Sequence, residues 1–386
     1  MDFSLNDEQV AIQDAVGAIC DRFDDHYWRV ADRDARFPQE FVDALVEAGW
    51  MGVTMPQEYG GAGLGITEAS IILQRIGRLG LAAVSSVHIN LFGPHPVVVF
   101  GTPEQKQRFL PPLIQGKDRT CFGVTEPSVG LDTLRIKTFA VRKGDRYIVN
   151  GQKVWTSTAQ IANKILLITR TTKYEDAARP SDGLTLFYTE FDRKAITVRE
   201  IDKMGRAAVD SNEIFIDDFE IPVEDRIGEE GQGFKYLLHG LNPERILSAG
   251  SLTGGGFAVI DKAARYAKDR VVFGRPIGQN QAIQHPLAEC WMRLQAAETM
   301  MYKAATLYDQ GKPCGLEANM SKFLAGDAYF EAAARAVRTH GGFGYAKEYH
   351  VERYYREAIL GLIAPVSHEL VLSHIAERAL GLPKSY

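Results

Sequence analysis

Apolar residues Ile12, Val16, Ile19 and Phe23 recur at three- and four-residue steps, a spacing that predicts one face of a helix. Asn6, with Gln9 three residues on, offers a capping box for its start. Thr102-Pro103-Glu104-Gln105 repeats the device, with Pro103 at the first helical position. Pro111-Pro112 is expected to interrupt that second helix, and Gln115-Gly116-Lys117 to be its exit. Between about 119 and 228 the period shortens. Tyr147-Ile148-Val149, Ile165 to Thr169, Leu184 to Tyr188 and Ile214-Phe215-Ile216 read as strands, separated by turn signals such as Lys143-Gly144-Asp145 and Asn150-Gly151. No helical pattern alternates with them, which favours antiparallel pairing over parallel βαβ units. From Gly231 onward the pattern is helical again, with long segments expected near 233–268, 281–310, 316–339 and 366–379.

The fold expectation is therefore α+β. It comprises an N-terminal α-helical domain over 1–118, a middle antiparallel β-barrel or sandwich domain over 119–228, and a C-terminal four-helix-bundle domain over 229–386. A chain of 386 residues is long enough for such a division. The formal charge of −5 lacks the basic stripe that nucleic acid would call for. Cys20, Cys121, Cys290 and Cys314 are scattered without a Cys-x-x-Cys pair and read as reduced core residues. The opening Met1-Asp2-Phe3 carries no basic or apolar leader, and no uninterrupted apolar run is long enough to span a bilayer. The expectation is a cytoplasmic protein with no membrane partner.

Single motifs say little. Gly341-Gly342-Phe343-Gly344 follows no strand, so it is not a dinucleotide fingerprint. His285, His340, His350, His368 and His374 show no metal-ligand spacing, and no metal is expected. The ordered set is more specific. Met55-Pro56-Gln57-Glu58-Tyr59-Gly60-Gly61 and Gly101-Thr102-Pro103-Glu104-Gln105-Lys106 are followed by Gly123-Val124-Thr125-Glu126-Pro127. Then come Asn150-Gly151-Gln152-Lys153-Val154-Trp155-Thr156-Ser157, Lys203-Met204-Gly205, Arg270-Val271-Val272-Phe273-Gly274-Arg275-Pro276 and His340-Gly341-Gly342-Phe343-Gly344-Tyr345. Over essentially its whole length the chain resembles the acyl-CoA dehydrogenase family.

The resemblance implies an FAD-dependent enzyme that removes hydrogen from the α and β carbons of an acyl-CoA to give the trans-2-enoyl-CoA. It implies electron-transfer flavoprotein or a similar acceptor as partner, and a homotetramer with a dimer as minimum. Thr125 matches a residue that hydrogen-bonds the flavin, Trp155 the aromatic beside the ring, and Ser157 a donor near N5. Arg270, Phe273, Gln281, Gly341 and Gly342 match positions that hold the cofactor's pyrophosphate and adenosine across a subunit contact, and Ser367 is also carried over as cofactor-binding. The commonest position of the family's base falls at Pro365, which has no carboxylate and no N–H. A branch that includes isovaleryl-CoA dehydrogenase carries the base on the first long C-terminal helix. Glu244 matches that position, and Arg245 beside it is assigned to the CoA part of the substrate.

Three departures stand out. Pro365 removes the N–H that, with a ribityl hydroxyl, polarises the thioester carbonyl; either Val366 N–H takes its role, or the substrate has an unusually acidic α-proton, or dehydrogenation is poor. Leu131, assigned to substrate binding, replaces the usual Ser or Thr. Arg338 replaces an amide or acid and is assigned to an FAD phosphate. Ala83 stands where the glutaryl-type branch has an arginine, which argues against a dicarboxylic substrate. Two rivals remain: the same fold with oxidase or monooxygenase chemistry, and a non-catalytic acyl-CoA-binding scaffold.

Overall fold

The structure is a computed structural model that describes residues 4–385; Met1, Asp2 and Phe3 of the expected leaderless start, and Tyr386, lie outside the described residues. Seven helices come first: α1 (Asp7–Cys20), α2 (Asp25–Arg33), α3 (Gln39–Glu47), α4 (Ile66–Gly77), α5 (Leu81–Phe92), α6 (His95–Phe100) and α7 (Pro103–Ile114). Both capping boxes form: Gln9 N–H donates to Asn6 Oδ1 at 2.8 Å, and Gln105 N–H donates to Thr102 Oγ1 at 3.2 Å. Helix α7 runs through Pro111 and Pro112 rather than stopping there. The carbonyls those prolines leave free belong to exposed Gln107 and Arg108, where water replaces the missing donors. The exit falls at Gly116, at φ 68°.

Eight strands follow: β1 (Thr120–Gly123), β2 (Phe139–Lys143), β3 (Arg146–Ser157), β4 (Lys164–Arg170), β5 (Leu184–Glu190), β6 (Ile196–Glu200), β7 (Ser211–Pro222) and β8 (Arg226–Ile227). They form one sheet in the order β6-β7-β3-β2-β4-β5-β8, with β1 on β4. The expected antiparallel pairing holds for most neighbours, but β1 and β2 run parallel to β4. The β2–β3 hairpin lies between β1 and β4 in the chain, a connection long enough for the two to run parallel, which a hairpin-only reading does not foresee. Gly144 makes the β2–β3 turn at φ 63°. Asn150-Gly151, by contrast, is no turn: it is an irregularity inside β3, closed by Asp218 N–H donating to Asn150 Oδ1 at 2.8 Å.

The remaining elements are α8 (Gly233–Asp269), the short pair β9 (Val271–Val272) and β10 (Arg275–Pro276), α9 (Gln281–Asp309), α10 (Gly315–His340), α11 (Val351–Ala358), α12 (Leu360–Ile363) and α13 (His368–Leu380). The helices at the two ends of the chain share one core. Ile71, Ile72 and Ile76 of α4 pack with Ile246 and Leu252 of α8 and Ala297 of α9. Along α4 and α8 the backbones nearly touch. A Cβ added to Gly77 would lie 2.2 Å from Ser251 O, and one added to Gly254 would lie 2.0 Å from Gln74 O. Stretches 81–100 and 351–380 reach the length and mean hydropathy of a membrane span, but the first is largely packed inside the fold. Both are also divided, at Gly93-Pro94 and at Ala364 to Ser367. All four cysteines are buried and unpaired.

Candidate active site

Helix α8 begins at Gly233, and Pro243 lies inside it, one residue before Glu244. Glu244 faces a narrow cleft of about 30 Å³ between α8, α5 and the sheet, with His88, His95, Phe92, Phe122 and Leu166 in its walls. Its carboxylate makes no hydrogen bond to any protein group among the described residues. Burial pushes its pKa up to about 7, and Arg245 pulls against this without prevailing. Arg245 turns away, donating to Asn242 Oδ1 at 3.2 Å. It lines a second, polar cavity of about 400 Å³ with Asn319, His374, Lys384 and Val366. Consecutive residues of α8 thus line the two cavities, Glu244 the first and Arg245 the second.

Pro365 is exposed, while the next residue, Val366, is buried. Lys322 Nζ donates to Val366 O at 2.5 Å, which fixes the peptide plane. The N–H of Val366 has no hydrogen-bond partner among the described residues. Ser367 caps α13, accepting from Leu370 N–H at 3.3 Å, so its hydroxyl oxygen is engaged by its own helix.

The β domain brings Thr125, Trp155 and Ser157 together. Val154 N–H donates to Thr125 O at 2.9 Å, and an irregularity between Lys153 and Thr156 re-aims Trp155. Trp155 adopts φ 62° and leaves 58% of its surface exposed. Behind this face lies a saturated buried pair. Glu126 accepts from Lys137 N–H (2.6 Å), Thr138 N–H (2.9 Å), Thr138 Oγ1 (2.6 Å) and Lys153 Nζ (3.0 Å). Burial raises its pKa, but Lys153 and these donors outweigh that and hold it below the usual carboxylate range. The pair pins the loop that carries Thr125.

The other matched residues are gathered on the C-terminal domain. Arg270 ends α8 and places its guanidinium 5.6 Å from the Phe343 ring centroid. Phe273 is wholly exposed at φ 54°, and Gln281 opens α9. Arg338 lies exposed in the last turn of α10, and Gly341 and Gly342 follow with open space where side chains would be. Leu131 is 57% exposed beside the Thr125 loop. Sequence reasoning singled out neither the cleft histidines nor Lys322. The seven-residue step from His88 to His95 was the available signal, but His239, the partner of His95, lies far along the chain.

A flat aromatic cofactor fits what is present. An exposed indole on a distorted strand is a stacking surface, and the buried Thr156 Oγ1 beside it has no partner. The bare Gly341-Gly342 backbone beside Arg338 and Arg270 suits an anionic diphosphate.

Comparison with known proteins agrees. Family models described as acyl-CoA dehydrogenase N-terminal, middle and C-terminal domain match residues 6–117, 121–219 and 231–380. Acyl-CoA dehydrogenase fadE12 of Mycobacterium bovis is 34% identical over 386 residues, covering 100% of this chain and 99% of the relative. The caffeyl-CoA reductase-Etf complex subunit CarC of Acetobacterium woodii is 33% identical over 328 residues, 84% of this chain and 86% of that one. The solved structure of a glutaryl-coenzyme A dehydrogenase with glutaryl-CoA superposes with a TM-score of 0.95 at 31% identity, covering 100% of this chain and 98% of the other.

Proposed function

We propose that this chain, which belongs to the acyl-CoA dehydrogenase family and is an FAD-dependent oxidoreductase, oxidises a short acyl-CoA to its trans-2-enoyl thioester with Glu244 as base. The observation that carries this reading is the carboxylate of Glu244, half-buried at the wall of an apolar cleft without a hydrogen bond and with its pKa raised to about 7. An α-proton is a very weak acid, and a desolvated carboxylate is a stronger base than a solvated one. Glu244 removes that proton. The unpartnered N–H of Val366 donates to the thioester carbonyl oxygen, taking over what Pro365 cannot do. Arg245 and its polar cavity receive the CoA portion, and Leu131 borders the substrate at the Thr125 loop. Bound FAD supplies a ring that accepts the hydride from the β carbon. Trp155 would pack beside that ring, and Thr125 and Ser157 would supply its polar contacts. Arg270, Phe273, Gln281, Arg338, Gly341 and Gly342 would hold the diphosphate and adenosine, reached from a second copy of the chain, and Ser367 would border the cofactor from the head of α13. A homotetramer built from such pairs covers exposed Phe273 and Tyr345. Electron-transfer flavoprotein, the assembly partner in the name of CarC, is the acceptor.

Anaerobic titration with a panel of acyl-CoAs tests this. Bleaching of the flavin by short thioesters is the expected result. A bound flavin that no thioester reduces would replace the reading with altered flavin chemistry.

A further inference from the structure

The cleft that receives the acyl group is apolar apart from Glu244 and two histidines. Its walls are Ile89, Phe92, Phe122, Leu166, Leu237 and Leu241, a surface suited to hydrocarbon. His88 interrupts it: neither ring nitrogen has a hydrogen-bond partner, and Nδ1 is fully buried. An unpartnered buried imidazole nitrogen costs about 1–3 kcal/mol, which a ligand can recover. His95 is held differently. Its ring stacks between Phe92, at 4.7 Å, and His239, at 5.3 Å. Its Nε2 is engaged by His239 Nδ1 at 3.2 Å and Tyr308 Oη at 3.3 Å, so the ring is fixed and Nδ1 is left without a partner. Two rings from α5 and the start of α6 thus bring unused polar atoms into one pocket.

Resting on the dehydrogenation reading, we propose that the acyl group carries an uncharged oxygen beyond its β carbon, a hydroxyl or a carbonyl, which His88 and His95 bind. Burial pushes both histidines down to about 4, so at neutral pH both rings are uncharged, and His95 has one ring nitrogen, Nδ1, left to pair. No lysine or arginine lines the cleft, and Arg206, whose charge acts on His88, lies outside the lining and donates to Ser85 Oγ at 2.6 Å, so a carboxylate there has no direct ion-pair partner. An unsubstituted acyl group would leave the free nitrogens of both rings unpaired. A site built to hydrogen-bond a substrate group rejects the analogue that lacks it far more strongly than an apolar pocket rejects an extra methylene.

The test uses the FAD-loaded enzyme and three matched thioesters: pentanoyl-CoA, 4-hydroxypentanoyl-CoA and 4-oxopentanoyl-CoA. At least one oxygenated thioester is expected to reduce the flavin with kcat/KM about tenfold or more above pentanoyl-CoA. His95→Phe and His88→Leu should each shrink that ratio, measured as the oxygenated-to-pentanoyl preference within each variant, whatever its absolute turnover. Binding to Glu244→Gln holoenzyme, followed by calorimetry, reads recognition apart from chemistry, and tighter binding of the oxygenated member is expected. Pentanoyl-CoA reacting and binding as well as both partners would overturn the inference while dehydrogenation stands. A ratio that neither histidine variant alters would overturn it too, as would a preference for glutaryl-CoA. If no thioester bleaches the flavin yet Glu244→Gln binds an oxygenated one more tightly, dehydrogenation fails and the recognition stands.

Discussion

Two glutamates sit beside cations in this molecule and meet opposite fates. Glu126, in the β domain, accepts four hydrogen bonds, one of them from Lys153, and is held ionised. Glu244, in the helical domain, has Arg245 as its sequence neighbour, yet Arg245 bonds to Asn242 and the carboxylate accepts nothing. Burial acts on both. Donors decide the outcome: a carboxylate saturated with N–H and O–H groups is inert scaffold, and one left bare in a cleft is a base.

The contrast can be broken at either end. Glu244→Gln should lower turnover by about 10²–10⁴-fold while FAD and thioester still bind, as single-turnover flavin reduction and calorimetry would read it; turnover within a factor of two of wild type would remove Glu244 from the chemistry. Glu126→Gln should instead cost about 3–5 kcal/mol of stability in denaturant unfolding, because Lys153 is left buried without its counter-charge. Loss of turnover with unchanged stability would make Glu126 the reactive one. Since Glu244 must be ionised to act, kcat/KM should fall about tenfold per pH unit below about 7. A profile flat down to pH 5 contradicts a bare carboxylate.

The same raised pKa has a stability counterpart. The folded protein keeps a proton on Glu244 that the unfolded chain releases at its ordinary carboxylate pKa, so stability drains as pH climbs from there to about 7. Glu244→Gln should therefore stabilise the protein at pH 8 relative to pH 4, by at most about 3 kcal/mol, seen as a higher Tm. The smallest effect is expected at Pro365→Ala. With Val366 N–H already free to serve, turnover should stay within about tenfold of wild type, ~1.4 kcal/mol. A rise of about 10²–10³-fold would show that a donor was missing.

Much of the fold was legible because its signals are local. Long periodic stretches closed by glycine gave α8, α9 and α10 to within a residue or two, and Asn6–Gln9 and Thr102–Gln105 marked helix starts through chemistry contained in four residues. Non-local features were not legible. The Asn150-Gly151 irregularity depends on Asp218 across the sheet, and the parallel placement of β1 depends on pairing with β4, beyond the β2–β3 hairpin. The site divides the same way. Glu244 and Trp155 were reached through ordered motifs, whereas the histidine pocket joins α5 and α6 to α8, nearly 150 residues on, and no window of sequence contains it.

The glycine contact between α4 and α8 bears on how substrate gets in. With Gly77 and Gly254 seated against opposing carbonyls, the helix that bears Glu244 is clamped to the N-terminal helices and has no room to swing. Parting these layers would have to break that contact. Rotation of cleft side chains such as Phe92 and Phe122, which needs no backbone movement, is the less costly way to admit a ligand.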